Sequence, residues 1–295
     1  MKRQIGVSAF FLALLAALVS ACSFPGSSTA TPTATSVGGG AMAQLAHAPT
    51  GTLDGVWDPS NNQATLKLSL VTLAPSSLHP VAIFNGHCGS PGPQVRALTQ
   101  LSADAKGAGS ISDQFTANVN AVPTSGWYVA VNNATGTDVY SKIIIACVDV
   151  PVSLTSGTSK QTISLPVTSG VGYSQYSTGS AQLRLNGTTL TINITAANLE
   201  PGSTHPTYIR SGSCADPGDQ VYSLAPLVAD ANGNATVTST VQNVTQIPTT
   251  GGWLIMSHRG VNMTTQIDYD PILCGAVTPN TPGATPGATP SATSQ

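Results

Sequence analysis

Imidazole and thiol are the side chains in this chain with the most chemistry to offer, and both are scarce: five His and five Cys in 295 residues. His79, His87, His205 and His258 could each ligate copper or zinc, and a Cys could serve as nucleophile, metal ligand or half of a disulfide. The spacing works against a ready-made metal centre. His79 and His87 are near one another, but two ligands make a weak site, and His258 alone cannot hold copper. All four would have to converge through the fold. His79 and His205 each precede a Pro, so the plainer reading is a strand-entry His that hydrogen-bonds the backbone. His87 reads as an exposed loop residue and His47 as a solvated linker residue. Trp127 and Trp253 could stack on sugars, but they open apolar runs and are expected in the core. G-x-S-x-G, H-E-x-x-H and P-loop patterns are missing from the sequence, and no Ser/His/Asp set stands out.

What positions these residues is a repeat. An offset of 126 residues lays Leu73 on Leu199, Pro75 on Pro201, His79-Pro80 on His205-Pro206, Gly86 on Gly212 and Cys88 on Cys214. "SADAKGAG" (102–109) falls on "VADANGNA" (228–235), "SGWYVAV" (125–131) on "GGWLIMS" (251–257), and "IIIACVDV" (143–150) on "PILCGAV" (271–277) after a one-residue slip. Each copy is about the size of an independent domain. Within the copies the apolar residues alternate: Leu66, Leu68 and Leu70 in the first, and Leu190, Ile192 and Ile194 in the second. No segment has a helical period. Short strands separated by turns such as those at Asp104 and Asp230 predict an all-β protein with two tandem Greek-key β-sandwich domains. The copies run over 51–150 and 178–277, joined by a connector at 151–177 that could add strand edges. Four cysteines allow three pairings. Each copy holds one early and one late Cys, which favours Cys88–Cys147 and Cys214–Cys274; pairing across the copies would break the symmetry. Each such disulfide is expected to add roughly 4 kcal/mol.

The ends differ from the repeats. Residues 1–21 carry a basic start and an apolar run of signal-peptide length. "VSAC" (19–22) resembles the bacterial lipobox, which implies a diacylglycerol anchor on Cys22 and a chain held at the cell membrane, facing outside the cytoplasm. A Ser/Thr/Pro/Gly tether (22–50) and a Thr/Pro-rich tail (278–295) lack the apolar content to fold and are expected to be disordered. Without Lys2 and Arg3 the formal charge moves from −2 to about −4, and charged residues make up 7% of the chain. With no Lys/Arg cluster, nucleic acid is excluded as a partner.

The frame His79-Pro80, Gly86-x-Cys88-Gly89, Ala103-Asp104-Ala105-x-Gly107, Gly126-Trp127-Tyr128-Val129 and Ala146-Cys147-x-Asp149-Val150 resembles the chordin-type (CHRD) domain. It is also similar to bacterial copper/zinc superoxide dismutase-like proteins, which share a Greek-key, Ig-like sandwich. The likeness covers nearly all of 51–150 and, more loosely, 178–277. It implies that Cys88–Cys147 is the intradomain disulfide tying a loop to the last strand. In metal-binding members an H-x-H pair precedes G-x-C and a further His follows on a later strand. Those positions fall on Ala82, Phe84 and Asn132 in the first copy, and on Tyr208, Arg210 and His258 in the second. Of six imidazoles one is present, so the resemblance implies a sandwich without its dismutase site.

These readings lead to an envelope lipoprotein that binds or structures rather than catalyses, with no cofactor and an envelope, glycan or protein ligand. One alternative is a divergent copper/zinc-binding or dismutase-like protein using His79, His87, His205 and His258. Another is a glycan- or matrix-binding adhesin working through the variable loops 82–87 and 208–213.

Overall fold

In a computed structural model the described residues are 39–116, 126–151, 159–167, 170, 176–248 and 252–280. Signal peptide, lipobox Cys22, most of the tether and most of the tail lie outside them. The chain divides into two units, 1–35 and 36–295, and every described residue belongs to the second.

The all-β expectation holds. Alternation makes the strands: in β3 (Gln63–Val71) Ala64, Leu66, Leu68 and Leu70 point inward, and in β13 (Thr189–Ala197) Leu190, Ile192, Ile194 and Ala196 do, as the two-residue period of a strand requires. The first copy packs two antiparallel sheets face to face. One has the order β11 (Gln161–Val167), β2 (Thr50–Asp58), β3, β8 (Gly109–Thr116); the other runs β10 (Ile144–Val150), β9 (Trp127–Asn132), β5 (Val81–His87), β6 (Ser90–Ala97). Leu53, Leu66, Ile83, Leu101, Trp127 and Val129 meet in the core between them. In the second copy a curled sheet runs β16 (Asp216–Ser223), β15 (Thr207–Ser213), β19 (Gly252–His258), β20 (Pro271–Ala276), β1 (Gly40–His47), β12 (Thr178–Asn186), β13, β18 (Ala235–Val241). It encloses its own core around Leu183, Ile192, Ile209 and Ile255. Trp127 and Trp253 lie in these cores, 0% and 9% exposed. The tight turns rest on Asp104, which accepts from the Lys106 and Ala108 N–H groups at 2.8 and 3.0 Å, and on Asp230, which accepts from Asn232 and Asn234 at 2.8 and 2.9 Å. These bonds hold both carboxyls below the usual carboxylate range.

The tether reading needs correction. Gly40–His47 is a strand, and it belongs to the second copy: β1 pairs with β12 from Gly40↔Arg184 to Ala46↔Thr178, and on its other side with β20. The equivalent place in the first copy, beside β2, is taken by β11 from the connector, in register from Gln161↔Trp57 to Val167↔Gly51. Each strand lies just before one copy in sequence and completes the other. The copies have therefore exchanged strands within one chain. "GAMAQLAH" hides the strand because two of its inward residues are only Ala; Ala41, Ala43 and Leu45 are nonetheless 1–3% exposed. The tail reading is corrected at its start, since residues from 278 begin as a short strand rather than as disordered chain. Thr278–Pro279 (β21) pairs with Met42 and Ala41, and Asn280 N–H donates to Gly40 O at 2.9 Å.

One short helix, α1 (Gln266–Tyr269), was not expected. Thr265 and Asp268 form a capping box, and T-x-x-D is the sequence signal for one.

The exchange predicts where damage travels. Leu45→Ala, which empties a buried site in β1, should cost about 3 kcal/mol. Amide exchange should accelerate in β12 and β13, the strands of the second copy, and stay unchanged in β2 and β3, the chain neighbours of Leu45.

Candidate functional site

The strongest feature shared by the copies is the cysteine frame. Near the ends of β5 and β15 the chain passes through Gly86 (φ +97°) and Gly212 (φ +91°), backbone angles that favour glycine. The turn sets Cys88 against Cys147 on β10 and Cys214 against Cys274 on β20. Both disulfides form within their copies, each with Cα atoms 5.9 Å apart. Cys88 N–H also donates to Asp149 Oδ1 at 2.8 Å.

The positions that the resemblance gives to metal ligands lie on the sheet face that carries these disulfides. In the first copy Ala82 pairs with Ala130, which pairs with Cys147, and Phe84 stacks on Tyr128 at 5.3 Å. Tyr128, Ala130 and Cys147 are 0–3% exposed and cluster with Phe84 and Cys88. In the second copy Tyr208 pairs with Met256 and Arg210 with Leu254; the Arg210 guanidinium donates twice to Gly218 O, at 3.0 and 2.8 Å. Segments following the exchanged strands roof both faces. Ala48, just after β1, packs on Leu254, Met256 and Cys274. Gly170, just after β11, sits so close that a Cβ there would be 2.5 Å from Ile144 O. These faces carry Ala82, Phe84, Tyr208 and Arg210 where a redox metal would need imidazoles around an open position.

The histidines do not converge. His79 Nδ1 donates to Asn132 O at 3.1 Å, and its Nε2 lies 2.6 Å from Ser77 Oγ. His205 repeats this, with Nδ1 on His258 O at 3.0 Å and Nε2 2.6 Å from Ser203 Oγ. Both imidazoles are buried strand-entry pins, and burial pushes both pKa values down. His87 is exposed near Asp149, 3.8 Å away. His47, expected to be solvated, is buried and its Nε2 donates to Ile145 O at 3.1 Å, because β1 carries it into the fold. Among the described residues no three His, Cys, Asp or Glu are grouped to hold a metal ion.

Sequence reasoning missed Ser77 and Ser203, although S-x-H-P recurs in both copies. A Ser–His contact is also the start of a hydrolase site, but three observations make this one structural. Each Ser hydroxyl lies 2.5 Å from a backbone carbonyl, Ala74 O or Glu200 O; each His is oriented by a carbonyl rather than a carboxylate; and the first copy of the pair is fully buried. Also missed was α1, whose Gln266 side chain bonds Leu78 N and O and Asn133 O across the copies. So was the buried Arg259–Asp270 pair, 2.7 Å apart. The first copy has Asn133 at the position of Arg259, so comparing the copies gave no hint of the pair.

No protein-family model matches the chain, and no curated protein matches it. The molecule is an all-β, two-copy sandwich protein with one disulfide per copy, and its function rests on the geometry itself.

His258 carries a pH prediction. It is 2% exposed and Nδ1 donates to Tyr269 O at 2.8 Å; Nε2 is buried with no hydrogen-bond partner among the described residues. Burial lowers its pKa from 6.5 to about 4. As pH falls the unfolded chain takes up this proton first, so stability present above 6.5 is lost progressively between about 6.5 and 4. The loss is on the order of 3 kcal/mol for this residue, and His79 and His205 act in the same direction. Urea midpoints across that window should fall steeply in the parent and less steeply in His258→Gln.

Proposed function

We propose that this chain is a lipid-anchored protein of the cell membrane, facing outside the cytoplasm, built from two sandwich copies of the CHRD/superoxide dismutase-like type. It works as a binding or structural module rather than as an enzyme. The observation that carries this reading is the filled ligand face. Phe84 stacked on Tyr128, and Arg210 spent on Gly218 O, occupy positions where a metal-binding relative would need imidazoles. His258 is the remaining imidazole of that set, held by Tyr269 O. The frame around these positions, with its disulfide, strand-entry His and left-handed Gly, is kept in both copies, which fits a scaffold retained for its shape.

Two experiments test the reading. The full chain incubated with copper and zinc should take up less than one equivalent of metal and show no superoxide turnover. Stoichiometric copper with turnover lost in His258→Ala would overturn it in favour of a divergent dismutase. Separately, Cys22→Ala should move the protein from the membrane fraction to the soluble one; persistent anchoring would refute the lipid attachment.

A further inference from the structure

A cleft of about 620 Å³ opens between the copies, within the range of small-molecule sites, ~300–1,000 Å³. One wall is Tyr140, from the loop that follows β9 in the first copy. The others are the Glu200–His205 turn and the Arg259–Asp268 loop of the second copy. It is distinct from the disulfide-bearing sheet faces, and from the variable segments 82–87 and 208–213, which lie within strands β5 and β15 rather than in the expected loops.

Several groups here are already committed. Both His205 nitrogens are in contact, with His258 O and Ser203 Oγ. Arg259 Nε is held by Asp270. Asp268 accepts the Thr264 and Thr265 N–H groups at 3.1 and 3.0 Å. Tyr140, Glu200 and Asn262 are left to meet a ligand, beside the exposed Val261 and the Thr204 hydroxyl. Tyr140 is 50% exposed. Glu200 and Asn262 are exposed, and no side-chain hydrogen bond or ion pair engages either among the described residues. Glu200 is near enough for its charge to act on His205.

This set selects a ligand chemistry. Glu200 is the uncommitted charge and it is negative, so anions are repelled. Nine of the fifteen wall residues, besides Tyr140, carry a polar or charged side chain, a poor match for a purely apolar ligand. A single ring does not make the aromatic cage that a quaternary ammonium requires. A sugar fits each part: its C–H face packs on the Tyr140 ring, and adjacent hydroxyls donate to the Glu200 carboxylate and bond the Asn262 amide.

We propose that the inter-copy cleft binds a neutral carbohydrate, with Tyr140 as stacking platform and Glu200 and Asn262 as hydroxyl partners. This rests on the reading of the chain as a binding module and gives that module its ligand class. Because Tyr140 and Glu200 face solvent, their substitution should leave the melting temperature unchanged.

The test uses the full chain in detergent, titrated with neutral gluco-, manno-, xylo- and chito-tetraose. A sulfated tetrasaccharide and tetramethylammonium serve as anionic and cationic comparators, and binding is read by saturation-transfer NMR and calorimetry. At least one neutral tetrasaccharide should bind with Kd below about 10 mM. Tyr140→Ala and Glu200→Gln should each weaken it by about tenfold or more. The proposal fails if no neutral tetrasaccharide binds in that range, if neither variant weakens binding, or if the sulfated sugar or tetramethylammonium is preferred. Each of those results would leave the non-catalytic reading standing, since that reading falls on copper uptake with superoxide turnover.

Discussion

Strand β1 closes a gap that the second copy cannot close for itself. It lies between β12 and β20, paired on both sides. Without it two strands would face each other across unmade backbone hydrogen bonds in a buried sheet, which proteins rarely tolerate. In the first copy the borrowed strand is β11, which lies at the end of its sheet and pairs along one side with β2. Because each copy borrows a strand from the stretch preceding the other, neither sandwich is complete within its own sequence boundaries. The repeat unit in sequence and the packed unit in space are therefore different objects.

The other particulars follow from that exchange. The stretches leaving β1 and β11 must cross from one copy to the other, and they do so over the disulfide-bearing faces, at Ala48 and Gly170. The region that a metal site would need open is thereby roofed by backbone. The same crossing brings the copies close enough for Gln266 to bond Leu78 and Asn133, and for Tyr140 to form a wall beside the Glu200–His205 turn. The junction also brings Lys106 within 2.7 Å of Asp216, a surface pair between the copies that contributes little stability by itself.

Much of the site frame is local, and local features are legible. S-x-H-P, G-x-C and D-A-x-G each place a hydrogen-bonding or left-handed residue relative to a strand end, and each recurs at a constant offset. Non-local features were opaque. A strand as weakly apolar as "GAMAQLAH" has no signature until a partner buries it, since Ala alternating with polar residues is compatible with a tether. His47 was misread for the same reason: its burial depends on where β1 docks. Arg259 and Asp270 were invisible because a buried ion pair needs two positions brought together, and the first copy does not share them.

The sequence by itself determined the fold class, the turns, the two intra-copy disulfides and the histidine pins, because alternation, glycine conformation and repeated spacing act over a few residues or in both copies alike. The tertiary structure decided which sheet each borrowed strand joins, how the disulfide-bearing faces are covered and where an inter-copy cleft opens. Those outcomes depend on contacts between stretches far apart in sequence, such as Gly40 with Arg184. A strand's own pattern says which side it buries but not which neighbour it will find.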